Sequence, residues 1–216
     1  IMATGGEEYK PQEYLYGEDP RVLTQRELEE QVASGAIDPG ALRRVVMIQC
    51  VGSRTPERPY CSRICCSVAI KNALKLKEMN PALEVHVLYR DIRTYGLLEQ
   101  YYTRAREQGV LFTPYRPEEP PRVEASDAGV QVRTRDIHLG GELSLEADLV
   151  VLSAGVVPRE NEELAALFKV QRTMEGFFLE AHMKLRPVDF STDGVYLCGL
   201  AHSPKLIEES VSQAAA

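Results

Sequence analysis

The sequence predicts an α/β protein with a parallel sheet and a small antiparallel meander, and three observations predict it. Apolar, β-branched runs of strand length recur at Arg44–Gln49, Glu84–Tyr89 and Asp148–Ser153. Runs of this kind suit strands that are buried on both faces. Helical segments follow the first two, which gives the β-helix-β-helix-β rhythm of parallel strands joined by crossover helices. Between 122 and 145 the pattern changes to short strands separated by turn signals, as an antiparallel insertion requires.

In chain order, Ile1-Met2-Ala3-Thr4-Gly5-Gly6 reads as the end of a strand running into a turn, so a preceding segment is expected. Residues 7–20 are polar, contain prolines and read as a loop. Thr24 caps a helix from Gln25 to Ser34, and Gly35 stops it. Asp38-Pro39-Gly40 is a turn before the strand Arg44–Gln49. A loop over Val51–Tyr60 holds Gly52, Pro56 and Pro59, and a helix runs from Cys65 to Glu78. After the strand Glu84–Tyr89 come a helix over Gly96–Gln108, ended by Gly109, and a short strand Val110–Thr113. Arg122–Ala125 and Val130–Thr134 pair around Asp127-Ala128-Gly129, and Glu142–Leu145 completes the meander. Asp148–Ser153 returns to the buried sheet before a tight turn at Ala154-Gly155. The whole is a Rossmann-like nucleotide-binding unit with a meander inserted before its last strand. The tail adds a short helix Asn161–Phe168, strands Phe177–Leu179 and Val195–Cys198, and a helix Lys205–Ala216 opened by Ser203-Pro204.

The formal charge of -7, from 25 basic against 32 acidic residues, argues against a nucleic-acid partner, whose phosphates call for a basic surface. No stretch approaches the roughly 20 apolar residues of a membrane span. No signal peptide is visible. Four of the five cysteines, Cys50, Cys61, Cys65 and Cys66, fall within 17 positions, whereas Cys198 stands alone in an apolar strand and reads as core. Clustering of this kind points to metal or redox chemistry in a reducing compartment, hence the cytoplasm.

The spacing is C-x10-C-x3-C-C, from the end of a buried strand to the opening of the next helix. A cubane [4Fe–4S] cluster needs one thiolate for each iron, and this set supplies four. Free N–H groups at a helix start favour anionic sulfur, and Arg54, Arg63 and Lys71 would offset the negative charge. A disulfide leaves the adjacent Cys65 and Cys66 hard to explain. Structural zinc usually brings two C-x2-C pairs, and there is none here. Unligated buried cysteine is the remaining alternative.

Gln49-Cys50-Val51-Gly52-Ser53-Arg54 and Pro59-Tyr60-Cys61-Ser62-Arg63-Ile64-Cys65-Cys66 resemble the A subunit of heterodisulfide reductase, an iron–sulfur flavoprotein. So do Leu88-Tyr89-Arg90-Asp91-Ile92-Arg93-Thr94-Tyr95-Gly96 and Leu185-Arg186-Pro187-Val188-Asp189-Phe190. Cys198-Gly199-Leu200-Ala201-His202-Ser203-Pro204-Lys205 fits as well, so the likeness covers nearly the whole chain.

The resemblance implies a core similar to thioredoxin reductase, a flavin domain interrupted by a second dinucleotide-type domain. Residues 1–6 would close a first FAD segment, 7–155 would form the inserted domain with the iron–sulfur motif, and 156–216 would return to the FAD domain. The implied cofactors are a [4Fe–4S] cluster on Cys50, Cys61, Cys65 and Cys66, and FAD near Ala3, Thr4, Gly5, Lys71, Gly199, Leu200, Ala201, His202, Lys205, Leu206 and Ile207. Backbone N–H groups from Lys205 to Glu208 would face the flavin ring, and Lys71 and Lys205 would tune its potential. The implied role is electron transfer between the two groups, with electron bifurcation as its extension. The implied partners are other heterodisulfide reductase-type subunits, a hydrogenase or formate dehydrogenase, and ferredoxin. A docking module and an NAD(P)H-dependent disulfide reductase are the alternatives. The last is weakened because G-x-G-x-x-G is absent and the turn after Arg44–Gln49 reads Cys50-Val51-Gly52-Ser53. Without a first flavin segment, these 216 residues are expected to retain little FAD and to be inactive alone.

Overall fold

The computed structural model describes residues 1–138 and 140–216. The strands are β1 (Gly6–Glu8), β2 (Val22–Thr24), β3 (Arg44–Val51), β4 (Glu84–Tyr89), β5 (Leu111–Pro114), β6 (Arg122–Ala125), β7 (Val130–Arg135), β8 (Glu142–Ala147), β9 (Leu149–Ala154) and β10 (Val156–Pro158). The α-helices are α1 (Gln25–Ser34), α2 (Cys65–Met79), α3 (Glu99–Glu107), α4 (Glu162–Phe168) and α5 (Ile207–Ala215). Contacts group them into two compact units, one of Ile1–Tyr9, Ser53–Ile64 and Gly155–Ala216, the other of Lys10–Gly52 and Cys65–Ala154.

The second unit is built on a five-stranded sheet in the order β2-β9-β3-β4-β5, parallel throughout. Its core packs Val45, Met47, Val85, Val87 and Val151 of the strands with Leu28, Ala69, Ile70, Ala73, Leu76 and Ala105 of the helices. Full burial of one such aliphatic side chain is worth about 1.5–3 kcal/mol. The Thr24 hydroxyl accepts the Glu27 N–H while the Glu27 carboxylate accepts the Thr24 N–H, a capping box that starts α1. Gly35, at φ 76, ends it in the left-handed conformation that glycine adopts without a Cβ penalty. One set of buried polar groups is paired: Asn72 donates to Gln25 Oε1 at 2.8 Å, and Gln25 donates to Ser153 Oγ at 3.1 Å. The meander is antiparallel in the order β6-β7-β8, with Val130, Val132 and Thr134 of β7 buried on alternate positions.

In the first unit β1 pairs antiparallel with β10. Met2 bridges to Leu197 in parallel, and Met2, Ala165, Phe178, Phe190, Leu197 and Ala201 form the core. The rings of Phe178 and Phe190 meet edge to face, their centroids 5.5 Å apart.

The α/β class and the parallel sheet agree with the sequence reading, and several details differ. The stretch 7–20 begins inside β1, and β2 was not expected at all. Both are three-residue strands created by distant partners, so no local pattern announces them. Phe177–Leu179 and Val195–Cys198 are not strands but make isolated bridges, Phe178 with Arg172, Tyr196 with Asp189 and Leu197 with Met2. The last helix starts at Ile207, after an extended Leu206. The helix expected from Gly96 opens with a 3-10 turn, Gly96–Leu98.

Candidate functional site

The cysteine stretch starts inside β3. Register shifts between Ile48 and Val51, and Cys50 adopts φ 64. Arg54 at φ 58 and Arg63 at φ 61 are also left-handed, so strained backbone gathers on the cysteine-bearing segment. In the first unit, the loop Ser53–Ile64 is fastened to β10. The Tyr60 hydroxyl donates to Val156 O at 3.0 Å, and the buried Ser62 Oγ accepts the Val156 N–H at 2.8 Å. The Tyr60 ring stands edge-on to Phe177, 5.3 Å between centroids. The Arg63 N–H donates to Cys61 Sγ at 3.3 Å, while its guanidinium pairs with Glu209 at 2.8 Å.

In the second unit, Cys65 and Cys66 open α2. The Cys65 thiol donates to Ala154 O at 3.5 Å, and the buried Cys66 thiol reaches Asp91 O at 3.9 Å. Tyr14, at φ 61, has its phenol pushed up to about 12 by burial and by Glu13, with Cys50 adding to the rise and Arg90 opposing it. It therefore stays a neutral donor at neutral pH. Two polar side chains flank the candidate ligands without a hydrogen-bond partner in the structure. They are Gln49, whose amide is buried at both ends, and Ser67.

None of Cys50, Cys61, Cys65, Cys66 and Cys198 is in a disulfide. The donor set suits an iron–sulfur cluster in kind, with four thiols for four irons. Among the described residues, however, no group of three or more His, Cys, Asp or Glu side chains is arranged to hold a metal ion. Lys71, expected beside a cofactor, is an exposed side chain of the second unit paired with Glu29 at 2.7 Å. Within Arg90–Arg93, Arg93 pairs locally with Asp91 at 3.0 Å.

The remaining candidate residues lie in the first unit. Ala3 and Thr4 line a cleft of about 420 Å³ with Ile1, Met2, Leu164, Phe168 and Val195. The Thr4 hydroxyl is buried with no partner in the structure, as a group awaiting a polar ligand would be. Gly6 permits close packing: a Cβ there would lie 2.7 Å from Val156 Cγ1 and 3.5 Å from Leu200 Cβ. Gly199, Leu200 and Ala201 form a 3-10 turn, with Gly199 at φ 72. The Leu206 N–H already donates to the Glu209 carboxylate at 2.7 Å, so it is not one of the donors that the sequence placed toward a flavin. Ile207 is 82% exposed.

His202 and Lys205 come together. Lys205 Nζ lies 2.9 Å from His202 Nδ1, and Glu180 Oε2 lies 2.8 Å from His202 Nε2. Burial lowers the Lys205 pKa, with Arg63 contributing, against Glu209, Cys198 and Glu180. Burial and then Lys205 lower that of His202, while Glu180 opposes them. Burial raises Glu180, but its own backbone N–H and His202 outweigh that and hold it below the usual carboxylate range. Sequence reading singled out neither Glu180 nor Gln213, which touch His202 from 22 and 11 residues away.

A parallel sheet carrying a meander in one unit, and a unit built from the two ends of the chain with the segment Ser53–Ile64, define an α/β protein of the flavoprotein disulfide reductase fold. Solved structures share it: thioredoxin reductase of T. acidophilum has a TM-score of 0.61 at 16% identity, covering 98% of this chain and 60% of that one. The HOCl-induced flavoprotein disulfide reductase RclA of Escherichia coli gives 0.63 at 11% identity, over 98% and 42%. No protein-family model matches the sequence. The A subunit of the H(2):CoB-CoM heterodisulfide,ferredoxin reductase of Methanothermobacter marburgensis is 42% identical over 99% of this chain and 35% of its own. The iron-sulfur A subunit of the CoB–CoM heterodisulfide reductase of Methanocaldococcus jannaschii is also 42% identical, over 99% and 35%. The chain belongs to this family of heterodisulfide reductase A subunits, and it spans about a third of the length of these curated relatives.

Proposed function

We propose that the chain is the cluster- and flavin-binding portion of an electron-transfer oxidoreductase subunit, the inserted dinucleotide-type domain being residues 7–155. FAD exchanges electrons in pairs and a [4Fe–4S] cluster exchanges them singly, which is the chemistry the two groups supply when bound. Cys50, Cys61, Cys65 and Cys66 hold the cluster as thiolates. The Arg63 N–H, 3.3 Å from Cys61 Sγ, favours the charged form of that ligand. Cys50-Val51-Gly52-Ser53 occupies the turn where a dinucleotide-binding fold carries its glycines, so sulfur ligation replaces nicotinamide binding there. Ala3, Thr4, Gly5, Gly199, Leu200, Ala201, His202, Lys205, Leu206 and Ile207 are the residues assigned to FAD.

One observation carries this reading: the kinship with heterodisulfide reductase A subunits over 99% of the chain, one of them named an iron-sulfur subunit. By the same kinship the partners are further subunits of that kind. Another relative, the A subunit of an H(2)/formate:CoB-CoM heterodisulfide,ferredoxin reductase, supports hydrogenase or formate dehydrogenase and ferredoxin as redox partners. A two-electron carrier beside a one-electron carrier would permit electron bifurcation when a second acceptor of different potential takes the other electron, and the proposal extends to it. Among the described residues no helix is long and apolar enough to cross a membrane, which is compatible with work in the cytoplasm.

The test is anaerobic purification followed by iron, sulfide and zinc analysis and electron paramagnetic resonance of the reduced protein. About four irons and four sulfides per chain, lost in Cys61→Ser, are expected. One zinc per chain, or iron content indifferent to Cys61→Ser, refutes the proposal.

A further inference from the structure

A part-buried polar cluster in the first unit joins Glu180, His202, Lys205 and Gln213. Lys205 Nζ and Gln213 Nε2 each lie 2.9 Å from His202 Nδ1, and Glu180 Oε2 lies 2.8 Å from His202 Nε2. Gln213 Oε1 is 2.8 Å from Lys205 Nζ and 2.9 Å from the Gly199 nitrogen. Lys205 is 9% exposed, although a lysine usually carries its ammonium out to water.

The hydrogen positions follow from which groups can only donate. An ammonium and a backbone N–H have no acceptor capacity. Both meet one atom of Gln213, so that atom is the carbonyl oxygen and the amide nitrogen faces His202. The ammonium and that amide N–H then both point at Nδ1, which must be bare. A neutral imidazole with a bare Nδ1 carries its hydrogen on Nε2, where the Glu180 carboxylate accepts it.

We propose that Glu180, His202 and Gln213 are positioning residues for Lys205: Glu180 fixes the Nε2–H tautomer of His202, and the bare Nδ1 together with the Gln213 oxygen holds the ammonium inside the unit. A second proton on His202 would have to enter at Nδ1, against the ammonium, and burial opposes it as well. Around Lys205, burial is the largest influence and opposes the charged form, as Arg63 does, while Glu209, Cys198 and Glu180 favour it. The use of the held charge, as a fixed cation before α5 that favours reduced, anionic flavin, rests on the flavin reading above; the holding does not.

The test has two readouts on the 216-residue chain itself. Nitrogen-detected spectra of the His202 ring at neutral pH are expected to show the Nε2–H tautomer, and the Nδ1–H tautomer overturns the proposal. Acetylation of Lys205 by acetic anhydride, followed by mass spectrometry, should rise about tenfold or more in His202→Leu relative to the other lysines. His202→Gln, whose amide donates to Glu180 and accepts from Lys205, should restore protection. Equal labelling of Lys205 in wild type and His202→Leu, or no rescue by His202→Gln, overturns it. A full-length relative that binds no FAD would remove the flavin reading and leave the tautomer result standing.

Discussion

Ser62→Ala tests how firmly the cysteine loop is fastened. The Ser62 side chain is fully buried and its Oγ accepts the Val156 N–H at 2.8 Å, while Val156 itself is 6% exposed. Alanine keeps the Cβ but leaves that N–H buried without an acceptor, at a cost of about 1–3 kcal/mol. At 1.4 kcal/mol per tenfold, the opening constant of the first unit rises roughly 5- to 150-fold. Amide hydrogen exchange at Val156, read beside a urea titration, measures it. Ser67→Ala is the control, because the Ser67 hydroxyl has no hydrogen-bond partner in the structure. Its removal is expected to leave stability unchanged or slightly higher. Unchanged Val156 exchange in Ser62→Ala, or an equal loss in Ser67→Ala, would refute the reasoning.

Two further outcomes follow from single contacts. Burial raises the Asp148 pKa, but the N–H groups of Arg44 and Arg43 and the Arg43 guanidinium outweigh that and hold it below its ordinary value of 3.8. Its contribution is therefore full above that value and is lost as pH falls through the lower folded pKa, so Asp148→Asn should flatten the acid limb of a urea-midpoint profile. An acid limb identical to wild type contradicts this. Gly6→Ala would put a Cβ 2.7 Å from Val156 Cγ1 and 3.1 Å from Val157 O, an overpacking worth about 1–3 kcal/mol. A thermal midpoint equal to that of wild type shows that β1 and β10 can yield.

Elements with local signals were legible. Thr24 and Glu27 write the start of α1 and Gly35 its end, and the apolar runs of β3 and β4 mark strands buried on both faces. What failed was long-range. β2 is a strand only because β9 pairs with it 128 positions away, Val22 with Val150. Phe177 and Phe178 look like strand residues, but Phe177 meets the Tyr60 ring and Phe178 packs in a core with Met2, Ala165, Phe190, Leu197 and Ala201, so their apolarity serves packing without a ladder. At the candidate site, cysteine spacing was visible in the sequence, while the left-handed backbone at Cys50, Arg54 and Arg63 was not. None of these is a residue whose identity announces positive φ. The resemblance placed His202 near FAD, yet its hydrogen bonds run to Glu180 and Gln213, which only the fold brings to it.

Cys50 joins the backbone to the chemistry. At φ 64 it occupies a conformation that costs an L residue about 1–2 kcal/mol. Glycine avoids that cost but gives up about 0.5–1 kcal/mol through its freer unfolded chain. On conformation alone, glycine would leave the metal-free protein unchanged or up to about 1.5 kcal/mol more stable. What cysteine adds at this position is its thiol. Cys50→Gly is therefore expected to match or exceed the wild-type urea midpoint when metal-free, and to lose iron and sulfide uptake under anaerobic reconstitution. Cys50→Ala keeps the strained backbone and removes the thiol, so it should lose uptake equally without the gain in stability. A Cys50→Gly chain destabilised by more than about 1 kcal/mol would show that the side chain is held for packing. A chain that still took up four irons would show that the backbone at this turn, not its sulfur, is what the site requires.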